Sequence, residues 1–459
     1  MMKLHIDNIG IVKESEIELN GITVITGHNN SGKTTVSKVL YSLISSVEDL
    51  GKSNLQDKNN AAEAFVDNMT SEIWLRLSSG KVKTEHVDRM RVSYNRNLLE
   101  VEGAERYLEH FMEDECSMLQ SAAQKTSKSD IREFYLDLQH SVEEKIRNFG
   151  KELKHDYDPV NYVNKKLDSI LNAEFNNQIL HVNGGMDSGI IQLVEDGKPI
   201  FDVMVGKDGL KKREKTFSMS LFDSKCIFID DVYVLDDLID KIENSEKEGA
   251  NVSFWLRRFN KNTAKIKIEK HKQKLINSLW QKDRILYGGA SNKEAVFKIY
   301  DKLESVFDDK IVLEGGKLVC ANSKVHVGNL AMGAKVFALL KMLLDNGTIT
   351  RDTILILDEP EVHLHPEWQN VLAELLVLIM QEINATILLT THSSQFLMAL
   401  ETYTKKHQQR DRFKVYSTER LEDKRFVRYI DQTASIKDAY YKLAKPMFDI
   451  KVLKDSVEE

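Results

Sequence analysis

The chain has 459 residues, enough for about two or three domains, and its hydrophobic content of 42% is normal for a globular protein with a sizeable core. The net charge of −7 excludes a surface that is basic throughout, so any nucleic-acid contact has to be local. Cys116, Cys226 and Cys320 have no metal-binding spacing and predict a reducing compartment without a disulfide framework. No hydrophobic signal core is present at the start, and the most apolar run, 371–380, is too short to span a membrane. We therefore expect a cytoplasmic protein that makes no membrane contact.

The first 26 residues predict three short strands, the last of which leads into a phosphate-binding loop. Apolar residues alternate near residues 4–6 and 17–19, and a buried β-branched strand follows at 22–25. This strand ends in Gly-x-x-x-x-Gly-Lys-Thr, and apolar residues then recur at helical spacing. Strand, loop and helix thus come in the required order. The residues of the predicted loop are Gly27, His28, Asn29, Asn30, Ser31, Gly32, Lys33, Thr34 and Thr35.

The chemistry of phosphate binding explains the residue types in this loop. Gly27 and Gly32 let the backbone turn, so that successive N–H groups and the helix N-terminus face a β-phosphate. Lys33 would place its charge between the β- and γ-phosphates, and the hydroxyl of Thr34 would be a ligand of Mg²⁺. Thr35 is expected on the helix surface. The motif therefore predicts a nucleoside triphosphate, ATP or GTP, as the ligand and Mg²⁺ as the cofactor.

The next part of the chain is predicted to be mainly helical. Ile73, Leu75 and Leu77 alternate and indicate one further strand of the first lobe. Beyond it, apolar residues over 131–153 follow helical spacing. Because this pattern covers only some three heptads, it favours a helix packed on its neighbours over a coiled-coil arm.

Strands return in the middle of the chain and are followed by a charged segment. Residues 189–205 predict a hairpin with its turn at 195–197, and 226–230 predict a buried strand. Residues 236–248 are acidic, whereas 257–284 are strongly basic. The basic segment is either a solvated helix face or a contact for nucleic acid or an acidic partner. Its candidate contact residues are Arg257, Arg258, Lys265, Lys267, Lys270 and Lys272.

The C-terminal third carries the second half of an ATPase site. A buried strand over 353–358 ends in Asp358 and Glu359, which suit the Walker B role of holding Mg²⁺ and the role of accepting a proton from the attacking water. After a helix at 367–383, an apolar strand ends just before His392, which is placed to sense a γ-phosphate. Two more strands, a short helix and a charged tail are expected to follow.

These motifs resemble those of ABC-class ATPases related to SMC proteins and to the overcoming-lysogenisation-defect (OLD) nucleases. The resemblance rests on Asp-Glu-Pro-Glu-Val-His-Leu-His-Pro over 358–366 together with Thr-His-Ser at 391–393, and it is strongest to stand-alone ATPases of bacterial anti-phage systems such as Septu and PARIS. It implies heads that dimerise head-to-tail around two ATP molecules, with 361–366 forming a D-loop that faces the partner. It also implies that a nuclease or toxin effector is a separate chain, because the residues after 392 leave no room for a Toprim domain.

The signature motif of this family is only partly present. The matching residues are Ala331, Met332, Gly333, Ala334 and Lys335, which the resemblance assigns to the nucleotide of the opposite subunit. Ala331 stands where the family has serine, and the lost hydrogen bond to a charged group is worth about 1.5–3 kcal/mol. We therefore expect slow turnover. Gln192 is a candidate for the Q-loop glutamine.

The combined prediction is an α/β, ABC-type ATPase head with helical insertions. Its segments are 1–99 (phosphate loop), 100–186 (helical insertion), 187–234 (strands that complete the head), 235–300 (charged helical insertion) and 301–459 (signature, Walker B and switch histidine). The predicted role is a regulatory ATPase of an anti-phage complex that responds to a DNA or phage-protein trigger. The alternatives are an SMC-like, DNA-binding repair or chromosome-maintenance ATPase, and a scaffold that binds ATP without hydrolysing it.

Overall fold

The chain forms two compact units in a computed structural model. One unit comprises residues 1–48 and 163–459, and the other comprises 49–162. The structure describes residues 1–48, 50–79, 96–153, 158–181, 187–207, 209–211, 224–247, 270–279, 293–315, 317–421 and 425–458.

The described residues contain the following strands and helices. The strands are β1 (Met2–Asp7), β2 (Ser15–Leu19), β3 (Ile22–Thr26), β4 (Ser188–Glu195), β5 (Lys198–Gly206), β6 (Gly209–Lys211), β7 (Lys225–Ile229), β8 (Ile311–Glu314), β9 (Lys317–Cys320), β10 (Thr353–Asp358), β11 (Thr386–Thr391), β12 (Phe413–Arg420) and β13 (Val427–Asp431). The helices of the chain are α1 (Lys33–Val47), α2 (Leu50–Ser79), α3 (Arg96–Lys125), α4 (Ser129–Leu153), α5 (Pro159–Glu174), α6 (Val234–Lys247), α7 (Lys270–Leu279), α8 (Lys293–Glu304), α9 (Met332–Asp345), α10 (Pro366–Leu378), α11 (Ser394–Lys406) and α12 (Ile436–Glu458).

The larger unit is built on a six-stranded sheet with the order β13-β12-β3-β11-β10-β7. Neighbours from β12 to β7 are parallel, and β13 is antiparallel to β12. The central strands β3, β10 and β11 are apolar and buried, as expected for a parallel sheet covered on both faces. Because these strands are parallel, the carboxyl ends of β3, β10 and β11 lie at the same edge, where ligands bind in such sheets. The predicted α/β class is confirmed.

A second sheet has the order β2-β1-β4-β5-β6, and all its neighbouring strands are antiparallel. The predicted hairpin is present as β4 and β5, with its turn at Asp196 and Gly197, both of which have positive φ. Strands β8 and β9 form a separate hairpin. The buried side chains of the central sheet pack against α6–α11 in one continuous core.

The helical unit has its own hydrophobic core. Buried side chains of α2, α3 and α4 form one cluster, in which the rings of Phe65 and Phe149 stack with centroids 4.1 Å apart. Lys145 and Glu72 form an ion pair at 2.7 Å between α4 and α2. The predicted helix over 131–153 is confirmed as α4.

Two predictions about secondary structure are corrected. Ile73, Leu75 and Leu77 do not form a strand but lie in α2, where Ile73 and Leu77 are buried on one face and Leu75 is exposed. The expected short helix and charged tail are one helix of 23 residues, α12. The predicted helix at 367–383 is present as α10 followed by a π-helical turn over 379–383.

A buried ionic network joins three elements of the larger unit. The Nδ1 atom of His271, in the first turn of α7, lies 2.7 Å from Oε2 of Glu174, and its Nε2 lies 3.1 Å from Oδ2 of Asp230. The imidazole also contacts the rings of Tyr41 and Phe228. Burial disfavours the charged ring, but hydrogen bonds to Asp230 and Glu174 outweigh it and raise the pKa of His271 to about 9. This imidazolium thus ties α7 to α5 and to the end of β7.

The network predicts a loss of stability at alkaline pH. The folded-state pKa of His271 lies above its unfolded value, so its contribution to stability is fully present below about pH 6.5 and disappears as the pH rises through about 9. We expect the free energy of unfolding, measured with urea, to fall between about pH 6.5 and about pH 9.5, and a His271→Gln variant to lack this component of the fall. The exposed His365 provides a control as His365→Gln, which should retain the wild-type slope. Equal slopes in wild type and His271→Gln would contradict the prediction.

Candidate nucleotide-binding site

The predicted phosphate loop lies between β3 and α1, and its geometry requires both glycines. Gly32 has φ +76, and a Cβ there would lie 3.1 Å from Cγ1 of Ile11. A Cβ on Gly27 would lie only 1.9 Å from Oγ1 of Thr418 on β12. His28, Asn29 and Asn30 are exposed at the tip of the loop. The backbone therefore turns tightly at the helix N-terminus, as a phosphate-binding loop must.

Lys33 directs its buried ammonium into the loop. Its Nζ donates to the carbonyl oxygens of His28, at 3.1 Å, and Gly27, at 3.3 Å. The same atom lies 2.7 Å from Nε2 of His392 and 3.4 Å from Oε1 of Glu359. Burial lowers the pKa of Lys33, and the nearby carboxylate of Glu359 opposes this. Residues that are far apart in sequence thus surround one cation.

Asp358 is held by two threonine hydroxyls at the end of β10. The Oγ1 atom of Thr34 donates to its Oδ2 at 2.7 Å, and the hydroxyl of Thr390 donates to its Oδ1. Carboxylate and hydroxyl oxygens are the donors that Mg²⁺ prefers. Thr34 and Asp358 therefore fit the predicted metal role, and Thr390 is an additional partner that the sequence analysis did not single out.

Glu359 has a backbone conformation that is unusual for its residue type. Its φ is +51, and its N–H donates to the carbonyl oxygen and the hydroxyl of Thr390, at 3.2 and 3.0 Å. Its Oε1 lies 2.7 Å from Nε2 of His392. Burial and the charge of Lys33 lower the pKa of His392, although Glu359 opposes them. This shift favours the neutral ring, whose Nε2 can either accept a hydrogen bond from Lys33 or donate one to Glu359.

Two further observations fit a phosphate group at the loop. The Oγ atom of Ser31 is buried and has no hydrogen-bond partner among the residues that the structure describes, which is unusual for a buried hydroxyl. The hydroxyl of Tyr429 donates to the carbonyl oxygen of Gly32 at 2.6 Å and anchors the loop to β13. Tyr429 thus holds the loop in place from β13, and the hydroxyl of Ser31 is available to form a hydrogen bond with a ligand.

Glu361 connects the D-loop to the segment of His392. Its Oε1 accepts from the hydroxyl of Thr391 and from the N–H of His392, the latter at 3.2 Å. Burial raises the pKa of Glu361, although these hydrogen bonds oppose the shift. The next residue, Val362, is 59% exposed. A movement of this exposed loop would therefore act directly on the backbone of His392.

The signature residues occupy the start of α9. Ala331 is its exposed N-cap, and Gly333 packs so closely that a Cβ would lie 3.1 Å from the ring of Trp368. Lys335 is buried, and its ammonium contacts both oxygens of Asp236 on α6, at 2.7 and 2.8 Å. The side chain of Lys335 therefore has a partner within its own chain, and its contact to the nucleotide of an opposite subunit stays a prediction. Met332 and Ala334, the other signature residues, are half-buried in the first turn of α9.

Other candidate residues lie away from the loop. Gln192 is in the middle of β4, in the second sheet, where its amide donates to Asp202 on β5 at 3.1 Å. Lys272 lies 3.9 Å from the carboxylate of Asp230 and is directed towards an internal acidic group. Lys270 is the first residue of α7. Four predicted contact residues lie outside the described residues: Arg257, Arg258, Lys265 and Lys267.

A cavity of about 300 Å³ lies beside the two Walker B carboxylates. Asp230, Asp231, Asp358 and Glu359 contribute to its wall, and its apolar part includes Leu357. Asp230 and Asp231 add negative charge beside Asp358 and Glu359, and the described residues that line this cavity include no lysine or arginine.

Comparison with known proteins identifies the family. The family described as "AAA ATPase domain" matches residues 1–397, and the chain therefore belongs to it. No curated protein matches the chain. No helix within the described ranges is both long and apolar enough to cross a membrane.

Several solved structures of SMC heads show a remote likeness. An SMC head bound to the C-winged helix domain of ScpA has 9% identity and a TM-score of 0.40, and 94% of this chain and 96% of that chain are covered. The SMC head domain from Thermotoga maritima has 9% identity, coverage of 94% and 97%, and a TM-score of 0.37. The head with an extended coiled coil bound to the C-terminal domain of ScpA from Pyrococcus furiosus has 10% identity, coverage of 98% and 100%, and a TM-score of 0.39. These scores are too low to support an inference about this chain.

The contacts of Lys33 predict its contribution to nucleotide affinity. In a Lys33→Ala variant, charge-assisted hydrogen bonds to the phosphates are lost, and we expect ATP affinity in calorimetry to fall at least about 100-fold. Lys324→Ala is a matched control, because Lys324 forms only an exposed ion pair with Glu314. Retention of wild-type affinity by Lys33→Ala would contradict the assignment of the phosphate loop.

Proposed function

We propose that this protein binds Mg·ATP at residues 27–35 and hydrolyses it slowly, and that the nucleotide state operates it as a switch. The observation that supports this proposal is the convergence of Lys33, Glu359 and His392 around one point at the carboxyl edge of the sheet. Membership of the AAA ATPase family is consistent with it.

Each side chain has a distinct role in this proposal. Lys33 neutralises charge on the β- and γ-phosphates, and it exchanges its present contacts with carbonyl oxygens for phosphate oxygens. Thr34 and Asp358 would hold Mg²⁺, which supplies further charge neutralisation when bound. Glu359 accepts the proton of the attacking water. Neutral His392 donates a hydrogen bond to the γ-phosphate and so distinguishes the triphosphate from the product.

The proposed dimer places two heads around two nucleotides. Its support is the exposed N-terminus of α9, where Ala331 has no side-chain capping bond, together with the exposed Val362 of the D-loop. The first N–H groups of α9, a helix of 14 residues, would donate hydrogen bonds to a phosphate of the nucleotide that the opposite subunit binds. Lys335 has a supporting role instead, since its bond to Asp236 fixes the start of α9. Slow turnover follows from the missing hydroxyl at Ala331.

The proposed biological role is regulation of a separate effector, a nuclease or toxin, in an anti-phage system. It rests on the resemblance of the motifs at 358–366 and 391–393, and on no contact within this chain. The compact helical unit at 49–162 favours this role over an SMC-type DNA clamp, because the described residues include no long coiled-coil arm.

Replacing the proposed base tests hydrolysis and dimerisation together. We expect Glu359→Gln to bind ATP but to release phosphate at least about 100-fold more slowly, as general-base catalysis contributes 10²–10⁴-fold. At saturating ATP, light scattering should detect an accumulated dimer. Glu367→Gln is the control, because Glu367 is 85% exposed outside the cluster. Unchanged phosphate release would reject the role of Glu359, and a monomer with ATP bound would reject the sandwich.

Affinity purification of tagged Glu359→Gln protein from its own host tests the biological role. Because Glu359→Gln should keep the protein in its ATP-bound state, we expect a bound effector to be retained during purification. Mass spectrometry should then identify a stoichiometric nuclease or toxin whose amount changes on phage infection. Tagged Lys33→Ala protein is the control, because it should not enter the nucleotide-bound state. Recovery of DNA and repair proteins alone would replace this role with that of an SMC-type clamp.

A further inference from the structure

His392 lies on a short link between a strand and a helix. Strand β11 and its register with β3 end at Thr391, and α11 begins at Ser394, so the link consists of His392 and Ser393. The backbone of the link continues beyond the sheet ladder. The position of the imidazole ring therefore depends on the groups that hold these two residues.

Glu361 of the D-loop holds the link with a single oxygen atom. Its Oε1 accepts hydrogen bonds from the hydroxyl of Thr391 and from the N–H of His392, the latter at 3.2 Å. The hydroxyl oxygen of Thr391 accepts in turn from the N–H of Ser393, at 2.9 Å. Glu361 thus fixes three successive residues, either directly or through Thr391.

Gln369, near the start of α10, attaches the link to the D-loop a second time. Its Oε1 accepts from the hydroxyl of Ser393 at 3.0 Å, and its amide donates to the carbonyl oxygen of Leu364 at 3.2 Å. The N–H of Leu364 donates to the carbonyl oxygen of Glu361 at 2.9 Å. The D-loop and the link therefore form one hydrogen-bonded unit around His392.

The two carboxylate oxygens of Glu361 are used unequally. The residue is only 3% exposed, and its Oε2 is buried without a hydrogen-bond partner among the residues that the structure describes. A buried polar atom without a partner is unfavourable, so this carboxylate is costly to keep. What Glu361 provides at this place is the acceptor Oε1, which is bonded twice.

The ring of His392 needs this support because its contacts are directional. Its Nε2 lies 2.7 Å from Nζ of Lys33 and 2.7 Å from Oε1 of Glu359. A hydrogen bond from this atom to a γ-phosphate weakens steeply when its angle changes. A displacement of about 1 Å in a reacting site can lower the rate by about 100-fold.

We propose that Glu361 is a positioning residue for ATP hydrolysis, which acts through His392 by holding residues 391–393 against the D-loop. The proposal rests on the proposed function, in which His392 contacts the γ-phosphate. It also gives the D-loop a part in the reaction, because a contact on the exposed Val362 shifts Glu361 and, with it, His392. Hydrolysis thereby responds to whatever the D-loop touches.

Phosphate release by the full-length protein at saturating ATP tests this proposal. Glu361→Leu removes the acceptor, and we expect kcat to fall at least about tenfold, while ATP affinity in calorimetry stays within about threefold because Lys33 is unchanged. Glu361→Gln should restore most of the rate, since its amide oxygen can accept the same two hydrogen bonds. Glu374→Leu is the control: it removes another buried glutamate, bonded to Lys302 and Lys406, and should keep the wild-type kcat.

A double-variant cycle shows whether Glu361 acts through His392. In a His392→Ala background, Glu361→Leu should lower kcat less than about twofold, because the side chain that it positions is absent. Equal factors in both backgrounds would overturn the proposal, and so would a Glu361→Gln variant as slow as Glu361→Leu or an equal loss in Glu374→Leu. A wild-type kcat in His392→Ala would reject the role of His392 in the proposed function, and this proposal with it.

Discussion

The buried ammonium of Lys33 is the constraint on which the candidate site depends. A buried charge is tolerated only with partners, and here these come from three separate stretches of the chain. The loop supplies the carbonyl oxygens of Gly27 and His28, β10 leads to Glu359, and β11 leads to His392. A triphosphate can take over these contacts, so the same charge that organises the site in this structure would also bind the nucleotide.

The surrounding fold holds these groups in place through hydroxyl groups that do not themselves carry the proposed chemistry. Thr390 donates to Asp358 and accepts from the N–H of Glu359, so one side chain orients both Walker B residues. Tyr429 fixes the carbonyl oxygen of Gly32 from β13. Since Glu359 has positive φ, its backbone needs such support to keep this strained conformation. Positioning of the two carboxylates therefore depends on β10 and β11, and positioning of the loop depends on β13.

The site is coupled to two surfaces that suit regulation. Glu361 holds the backbone of His392 and lies next to the exposed Val362, so contact at the D-loop can alter the sensor. At the start of α9, Lys335 is paired with Asp236, and the exposed helix N-terminus is the surface that the proposed dimer would use.

The sequence by itself determined the local parts of this protein. The glycine spacing of the phosphate loop, the apolar run before Asp358 and the helical spacing of α4 are patterns of neighbouring residues, and the corresponding elements are present. Only the tertiary structure decided which distant residues meet. It places Lys335 on Asp236, His271 between Glu174 and Asp230, and Ile73 in a helix, because strand order and helix packing depend on contacts between residues far apart in the chain.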